Sequence, residues 1–571
     1  MKKDTIIRKV LLVFKTHLDI GFTDYAGEVR QKYLNEYLPA AVRVARENEH
    51  TDHRFVWTTG SWLIHEALKQ DDGTLDAAIR DGLIVWHALP FTTHTEYMNP
   101  ALFSAGLDIA AKLDARYGRK TIAAKMTDVP GHTMGIIPLL AARGIELLHI
   151  GVNPATPVPD VPEIFRWKHG DQSIAVIYSK DYGEPCEIGD TALVFGFTGD
   201  NHGPQGGEQL QSIYDSLREK YPDAVIEAAT LDDAAVVLRG RDLPVLECEI
   251  GDSWIHGVGT DPTKTRAFRE ILRRRESFAD TDLGDSLLMV PEHTWGMDLK
   301  SHFHNETHWR HEEIEACADK AVIEKSWSEQ REYVYRAAKL LNVDLTEVLA
   351  VSLPDVSNMK PVDRQPRAEV SYQLFDRADY ERFRAEYLRL ECEWSYWDFT
   401  KVGLPDYEGG IFTPQVTGAW QDGDTMVFRL TFDEDIRRFA GLPELWLIER
   451  EDFAELRWFG KKANRLPEAF WIRFPDVTDH LQMNKMGTWV DAAQVLDARN
   501  LHSVWSVRNE SCEIETLDAP LAAPYGRNLL RRKNPTVEQD LYFNLYNNIW
   551  NTNFPMWFTD DAKFRFVMRR R

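Results

Sequence analysis

The stretch Lys9-Val10-Leu11-Leu12-Val13-Phe14-Lys15-Thr16-His17-Leu18-Asp19 decides the fold class. Lys9–Lys15 reads as a strand with a continuous apolar centre. Such a strand is buried on both faces, as in a parallel sheet covered by helices. His17 and Asp19 follow directly, at the strand's carboxyl end, where parallel α/β sheets bind ligands. An i, i+2 pair leaving a strand end can turn both side chains into one pocket, and imidazole nitrogen and carboxylate oxygen are ordinary zinc ligands. Taken alone, the triplet reads first as a loop histidine capping nearby backbone. Its meaning depends on what else arrives at the same end.

The rhythm that begins here continues. Glu28–Glu47 has helical periodicity, Arg54–Trp57 is a short strand, and Gly60–Lys69 and Leu75–Arg80 are helical. Leu83–Ala88 is strand-like, Asn99–Tyr117 helical, and Thr121–Met126 a strand ending just before Asp128. Gly135–Arg143 is helical and Leu147–Val152 a strand. Buried strands alternating with amphipathic helices predict an α/β domain over 1–260 with a parallel, open barrel-like sheet. Over 261–380, Lys264–Phe278, His311–Glu324 and Ser326–Leu341 predict a helical bundle. Over 381–571, short β-branched and aromatic runs such as Met426–Thr431 and His502–Val507 predict a β-sandwich-like domain.

At 571 residues the chain is too long for one core, so about two to four domains are expected. A net charge of -23 repels polyanions, which excludes nucleic acid and anionic membrane as natural partners. The five cysteines are widely spaced with no CxxC, so a disulfide framework or thiolate zinc site is not expected. The apolar run Val10–Phe14 is too short for a signal core, and no run approaches about 18 apolar residues. A cytoplasmic protein is the simplest expectation. Self-association into a homo-oligomer stays open.

Further polar clusters punctuate the chain. Asp128-Val129-Pro130-Gly131-His132-Thr133 follows a strand and precedes a helix, placing a carboxylate at the sheet's mouth or at a helix cap. Pro291-Glu292-His293-Thr294-Trp295-Gly296 follows an apolar run in the helical region. Gly199-Asp200-Asn201-His202-Gly203 has glycines that allow close backbone approach, beside a carboxylate. Trp254 with His256, and Thr92, His94, Glu96 and Tyr97, are candidate pocket walls, since an aromatic beside polar groups suits a sugar ring. Each cluster by itself reads equally as turn, cap or core.

Together and in this order, the clusters resemble glycoside hydrolase family 38, the α-mannosidase family. Its His-Asn-Asp-x-Gly-Trp segment is echoed by His17-Leu18-Asp19-Ile20-Gly21-Phe22, and its Asp-Pro-Phe-Gly-His-Ser segment by Asp128 to Thr133. A Gly-Asp loop at Gly199-Asp200, a Trp segment at Trp254 to Thr260, and His293 follow, so the resemblance covers 9–345. It departs where Thr294 replaces the usual Asp and where Asp200-Asn201 stands for Asp-Asp.

The resemblance implies Zn²⁺ held by His17, Asp19, Asp128 and His293, with His256 as the rival fourth ligand. It implies Asp128 as nucleophile and Asp200 as acid/base of a retaining hydrolase acting on a carbohydrate. His94, Glu96, Tyr97, Asn201, Trp254, His256 and Trp295 are then sugar-contact candidates. Competing expectations are a zinc-dependent polysaccharide deacetylase, in which metal activates water and no glycosyl-enzyme forms, a degenerate carbohydrate-binding protein, and a structural metal. Two carboxylates on one metal disfavour the last.

Overall fold

A computed structural model describes residues 6–279, 281–303, 307–475, 477, 480–496, 500–531, 537 and 540–571. The chain forms two compact units: Met1–His94 with Pro100–Cys248 and Ser277–Gly284, and Thr95–Asn99 with Glu249–Glu276 and Asp285–Arg571. Among the described residues, no helix is long and apolar enough to cross a membrane.

The strands of the first unit are Lys9–His17 (β1), Trp57–Gly60 (β2), Ile84–His87 (β3), Ala123–Asp128 (β4), Leu147–Val152 (β5), Ile164–His169 (β6), Gln172–Ser179 (β7), Cys186–Ile188 (β8), Thr191–Asp200 (β9), Val225–Ala228 (β10) and Val245–Leu246 (β11). One sheet has the order β3-β2-β1-β9-β8, with β10 also on β1; the other runs β11-β6-β7-β5-β4. Neighbours of β1 are all parallel to it, as are β4, β5 and β7 to one another. The antiparallel exceptions are β8 on β9 and β6 on β7. Ala88 N–H donates to Ala123 O at 2.9 Å, joining the end of β3 to the start of β4.

The parallel reading of Lys9–Lys15 therefore holds, and the physical reason is its apolar run: every residue from Val10 to Lys15 is buried. Leu11 and Val13 share an apolar cluster with Leu147, Ala175, Ile177, Leu193 and Phe195. Side chains alternate along a strand, so Lys15 continues the face of Leu11 and Val13, its Nζ 4.5 Å from the Phe197 ring centroid. The interior thus turns from apolar to polar toward the carboxyl ends, where the candidate residues lie.

Several expectations shift. The strand near residue 54 forms at Trp57–Gly60, and β4 includes Asp128 rather than stopping before it. The helix over Glu28–Glu47 is Ala26–Lys32, a π turn at Tyr33–Tyr37, and Leu38–Glu47. Among the described residues, the helical region 261–380 has two long helices within it, Pro262–Arg273 and Lys320–Leu340, not three. His311–Glu324 breaks after Glu315, because its buried positions Ile314 and Cys317 are followed by Ile323, a six-residue step that leaves helical phase. His293 was expected within that bundle; it lies in irregular chain between the turn Leu287–Met289 and the helix Leu299–His302. Pro291 lacks the N–H a continuing helix needs.

In the second unit every strand pair between named strands is antiparallel. The described residues form a ten-stranded and a six-stranded sheet. Aromatic side chains join them: Trp458 packs on Phe470 at 5.0 Å between centroids, and Phe566 on Phe543 at 5.0 Å and Phe474 at 5.2 Å. His502–Val507 is two short strands, His502–Ser503 and Ser506–Arg508, rather than one.

Candidate metal centre

Three of the singled-out side chains converge in the first unit. One ligand atom from each of His17, Asp19 and Asp128 lies within 4.8 Å of the other two. All three residues are buried. His17 and Asp19 arrive from the end of β1, Asp128 from the end of β4.

Local structure aims them. The β1–β9 register slips between Lys15 and His17, so that His17 pairs with Asp200; such bulges re-aim side chains at sheet ends. The π turn holds the bulge, with Tyr33 Oη–H donating to His17 O at 3.1 Å and Tyr37 Oη–H to Asn201 O at 2.8 Å. Asn201 locks the turn at Asp19. Its Oδ1 accepts from Asp19 N–H at 3.0 Å, and its Nδ2 donates to Asp19 O, Gly21 O and Thr23 Oγ1. This residue, a sugar-contact candidate by sequence, spends its amide on the protein itself.

Asp128 has φ 80, a left-handed backbone that costs a non-glycine residue about 1–3 kcal/mol and persists where surroundings enforce it. Here Asn153 N–H donates to Asp128 O at 3.0 Å, Asn153 Nδ2 to Asp128 Oδ1 at 3.1 Å, and the Tyr182 hydroxyl to the same Oδ1. Gly151 makes the tyrosine's approach possible: a Cβ there would meet Asp181 O at 2.9 Å. Burial drives the Tyr182 phenol well above its ordinary range, with Asp128, Asp200 and Asp19 adding to the rise. One phenol thus senses all three carboxylates, which places Asp200 within electrostatic reach of the cluster.

The donor set fits zinc. His17 Nε2 faces Asp19 Oδ1 at 3.1 Å, and its Nδ1 lies 2.7 Å from Thr127 Oγ1. Two lone-pair atoms at that separation need a proton or a cation between them. Ligand atoms at 2.0–2.1 Å from one tetrahedral zinc lie about 3.3 Å apart. Behind this layer, burial pushes the Lys125 amine down to about 8. Burial, then repulsion from Lys125, likewise lowers Lys15 and His87; for His149 burial leads and Lys15 comes before Lys125.

A second group, His65, Glu66 and Asp282, has metal-like spacing. There Lys69 Nζ already bridges Glu66 Oε1 at 2.7 Å and Asp282 Oδ2 at 2.8 Å, and Arg30 holds Glu66 Oε2. Two fixed cations neutralise those carboxylates.

In the second unit, His293 Nδ1–H meets Glu292 Oε1 at 2.6 Å, both side chains buried. A carboxylate on the far nitrogen is the usual support of a metal-ligating histidine. Its rival His256 instead packs edge-on against Trp550, centroids 4.0 Å apart. Trp254 donates from Nε1 to Tyr387 Oη at 3.1 Å. Tyr97 donates to Thr265 Oγ1 at 3.0 Å and packs against Trp295, whose ring carries Lys264 Nζ at 3.5 Å. Glu96 is no open pocket wall: it is fully buried against Lys485 at 2.8 Å, and Lys485 also holds Glu249 at 2.6 Å. His94 is fully buried in the first unit.

Sequence reading missed Tyr182, Thr127 and Glu292. Tyr182 follows β7, 54 residues beyond Asp128, and carries no local signal. Thr127 and Glu292 stand beside singled-out residues, and that adjacency was the available clue.

Comparison with known proteins bears on the fold. A family model described as a domain of unknown function (DUF5054) matches residues 258–366. No curated protein matches in sequence. Among solved structures, an alpha-mannosidase from Enterococcus faecalis V583 aligns with TM-score 0.61 at 8% identity, covering 99% of this chain and 87% of that one. A protein in glycosyl hydrolase family 38 from Enterococcus faecalis aligns with TM-score 0.57 at 8% identity, covering 99% and 86%. The chain therefore shares the fold of these two structures.

Proposed function

We propose that this chain is a zinc-dependent retaining glycoside hydrolase, α-mannosidase-like, with Asp128 as its nucleophile. The observation that carries this reading is the convergence of His17, Asp19 and a strained Asp128 from the carboxyl ends of β1 and β4, in a fold shared with an alpha-mannosidase. His17, Asp19 and Asp128 would hold the zinc, with His293 as fourth ligand. Its Nδ1 is bonded to the Glu292 carboxylate, the usual support of a metal-ligating histidine, which favours it over His256. When bound, the zinc supplies Lewis acidity that draws charge from sugar oxygens.

The chain's own groups do the rest. Tyr182 and Asn153 hold Asp128 Oδ1, orienting the carboxylate. Asp128 bonds to the anomeric carbon as the glycosidic C–O bond breaks, and Asp200 gives its proton to the departing oxygen. Asp200 then takes a proton from water, whose oxygen displaces Asp128 from the same carbon, so configuration is retained.

Metal analysis tests the centre. Purified protein is expected to carry about one zinc per chain, lost in both His17→Ala and His293→Ala. Retention in His293→Ala with loss in His256→Ala would move the fourth ligand. No zinc in the unaltered protein would end the metal reading.

The acid/base assignment has its own test. Asp200→Asn is expected to cost about 10²–10⁴-fold in turnover on glycosides with poor leaving groups. Nitrophenyl glycosides need little protonation, so their bond-cleaving step is spared. An equal loss in the bond-cleaving step on both substrates would remove Asp200 from that role.

A further inference from the structure

We infer that Thr127 is a positioning residue that serves His17 in both of its neutral tautomers, accepting from Nδ1–H when zinc is bound and donating to Nδ1 when it is not. The inference rests on the metal reading proposed above, and concerns how this chain prepares one ligand.

A hydroxyl has one proton and two lone pairs. Thr127 Oγ1 lies 2.7 Å from His17 Nδ1 and accepts from Lys125 Nζ at 3.3 Å. That leaves one lone pair and the proton, either of which can face Nδ1. Thr127 is fully buried, so bulk water does not compete, and its backbone N–H is tied to Thr92 Oγ1 at 3.2 Å. On the ring's other side, Nε2 is 3.1 Å from Asp19 Oδ1.

Two states share this one geometry. Without metal, Nε2–H donates to Asp19 and the Thr127 hydroxyl donates to Nδ1. With metal, Nδ1–H donates to Thr127 and the Nε2 lone pair would face the zinc. The ring and both partners stay in place, and the ring's proton count is unchanged. His293 is supported differently, because the Glu292 carboxylate only accepts. His293 is therefore held as its Nδ1–H tautomer, while His17 is convertible.

The test is zinc affinity, read by competition with a chromophoric chelator, for the unaltered protein, Thr127→Val and Thr127→Ser. Thr127→Val is expected to bind about 10–100-fold more weakly, the usual cost of losing a metal ligand's supporting hydrogen bond. Thr127→Ser keeps the hydroxyl and is expected to bind as the unaltered protein does. Undiminished affinity in Thr127→Val overturns the inference, and so does an equal loss in both variants, which would make the methyl group the cause. A second measurement stands even if the valine variant misfolds. The ¹⁵N signals of His17, assigned by their loss in His17→Gln, are expected to change from Nε2–H to Nδ1–H as zinc is added; an unchanged pattern overturns the inference. Failure of the unaltered protein to bind zinc would remove the metal reading and this inference together, whereas an unaffected Thr127→Val removes this one alone.

Discussion

Asp128→Asn is expected to abolish glycoside turnover, by on the order of 10⁶-fold, the scale of losing a catalytic nucleophile, while leaving the fold intact. Asparagine is the informative substitution because of the backbone. At φ 80 most side chains are strained, but Asn, like Asp, tolerates the left-handed region. Its Oδ1 can still accept from Tyr182 and Asn153. The anionic oxygen that would bond to the anomeric carbon is gone, and so is a charged zinc ligand. The measurement is twofold. A fluorosugar that traps the covalent intermediate should mark the peptide carrying Asp128 in the unaltered protein and nothing in the variant. Label on another carboxylate, or turnover within tenfold of normal, would overturn the nucleophile assignment and reopen the deacetylase reading.

The second large effect is on stability. Lys485→Met is expected to destabilise the protein by about 3–5 kcal/mol, the cost of removing one partner from a buried ionic group. Lys485 is completely buried, 2.8 Å from Glu96 and 2.6 Å from Glu249, and its removal leaves two carboxylates facing each other in the second unit. Glu96 also accepts from Asp252 N–H and Ser503 N–H. Burial raises its acid, Lys485 opposes, and Glu249 and Asp252 add to the rise, for a balance of about 7 against an ordinary 4.5. A carboxyl whose folded value is raised binds its proton more tightly when folded. Its contribution is full below pH 4.5 and is lost as pH climbs through 7. Without the opposing lysine the rise grows, so the variant's loss should be larger at pH 8 than at pH 5. Urea unfolding followed by circular dichroism checks this; a loss below about 1 kcal/mol, or equal losses at both pH values, would contradict it.

Legibility followed the range of the interaction. The strand Lys9–Lys15 could be read because continuous apolar character is a local property, and the helix over Asn99–Tyr117, formed at Pro100–Tyr117, because helical periodicity is local too. His17, Asp19 and Asp128 were readable because each stands at or just beyond the carboxyl end of a strand, where parallel α/β sheets gather ligand groups. The broken helix after Glu315 was not readable from periodicity averaged over a longer window. Glu96 looked like a pocket residue because its neighbours are polar and its partner Lys485 is remote in sequence.

What the sequence determined by itself was the alternation of buried strands and helices and the identity of the ligand-type residues at their ends. Both follow from local hydrophobic patterning and side-chain chemistry. What only the tertiary structure decided was the supporting arrangement. It set the register slip that pairs the backbone of His17 with Asp200, the glycine at 151 that lets the Asp181–Tyr182 backbone pass and Tyr182 reach Asp128, and the hydroxyl of Thr127 beside His17. Hydrogen bonds are made over about 3 Å between atoms, with no preference for how far apart those atoms lie along the chain. Their partners are therefore set by packing.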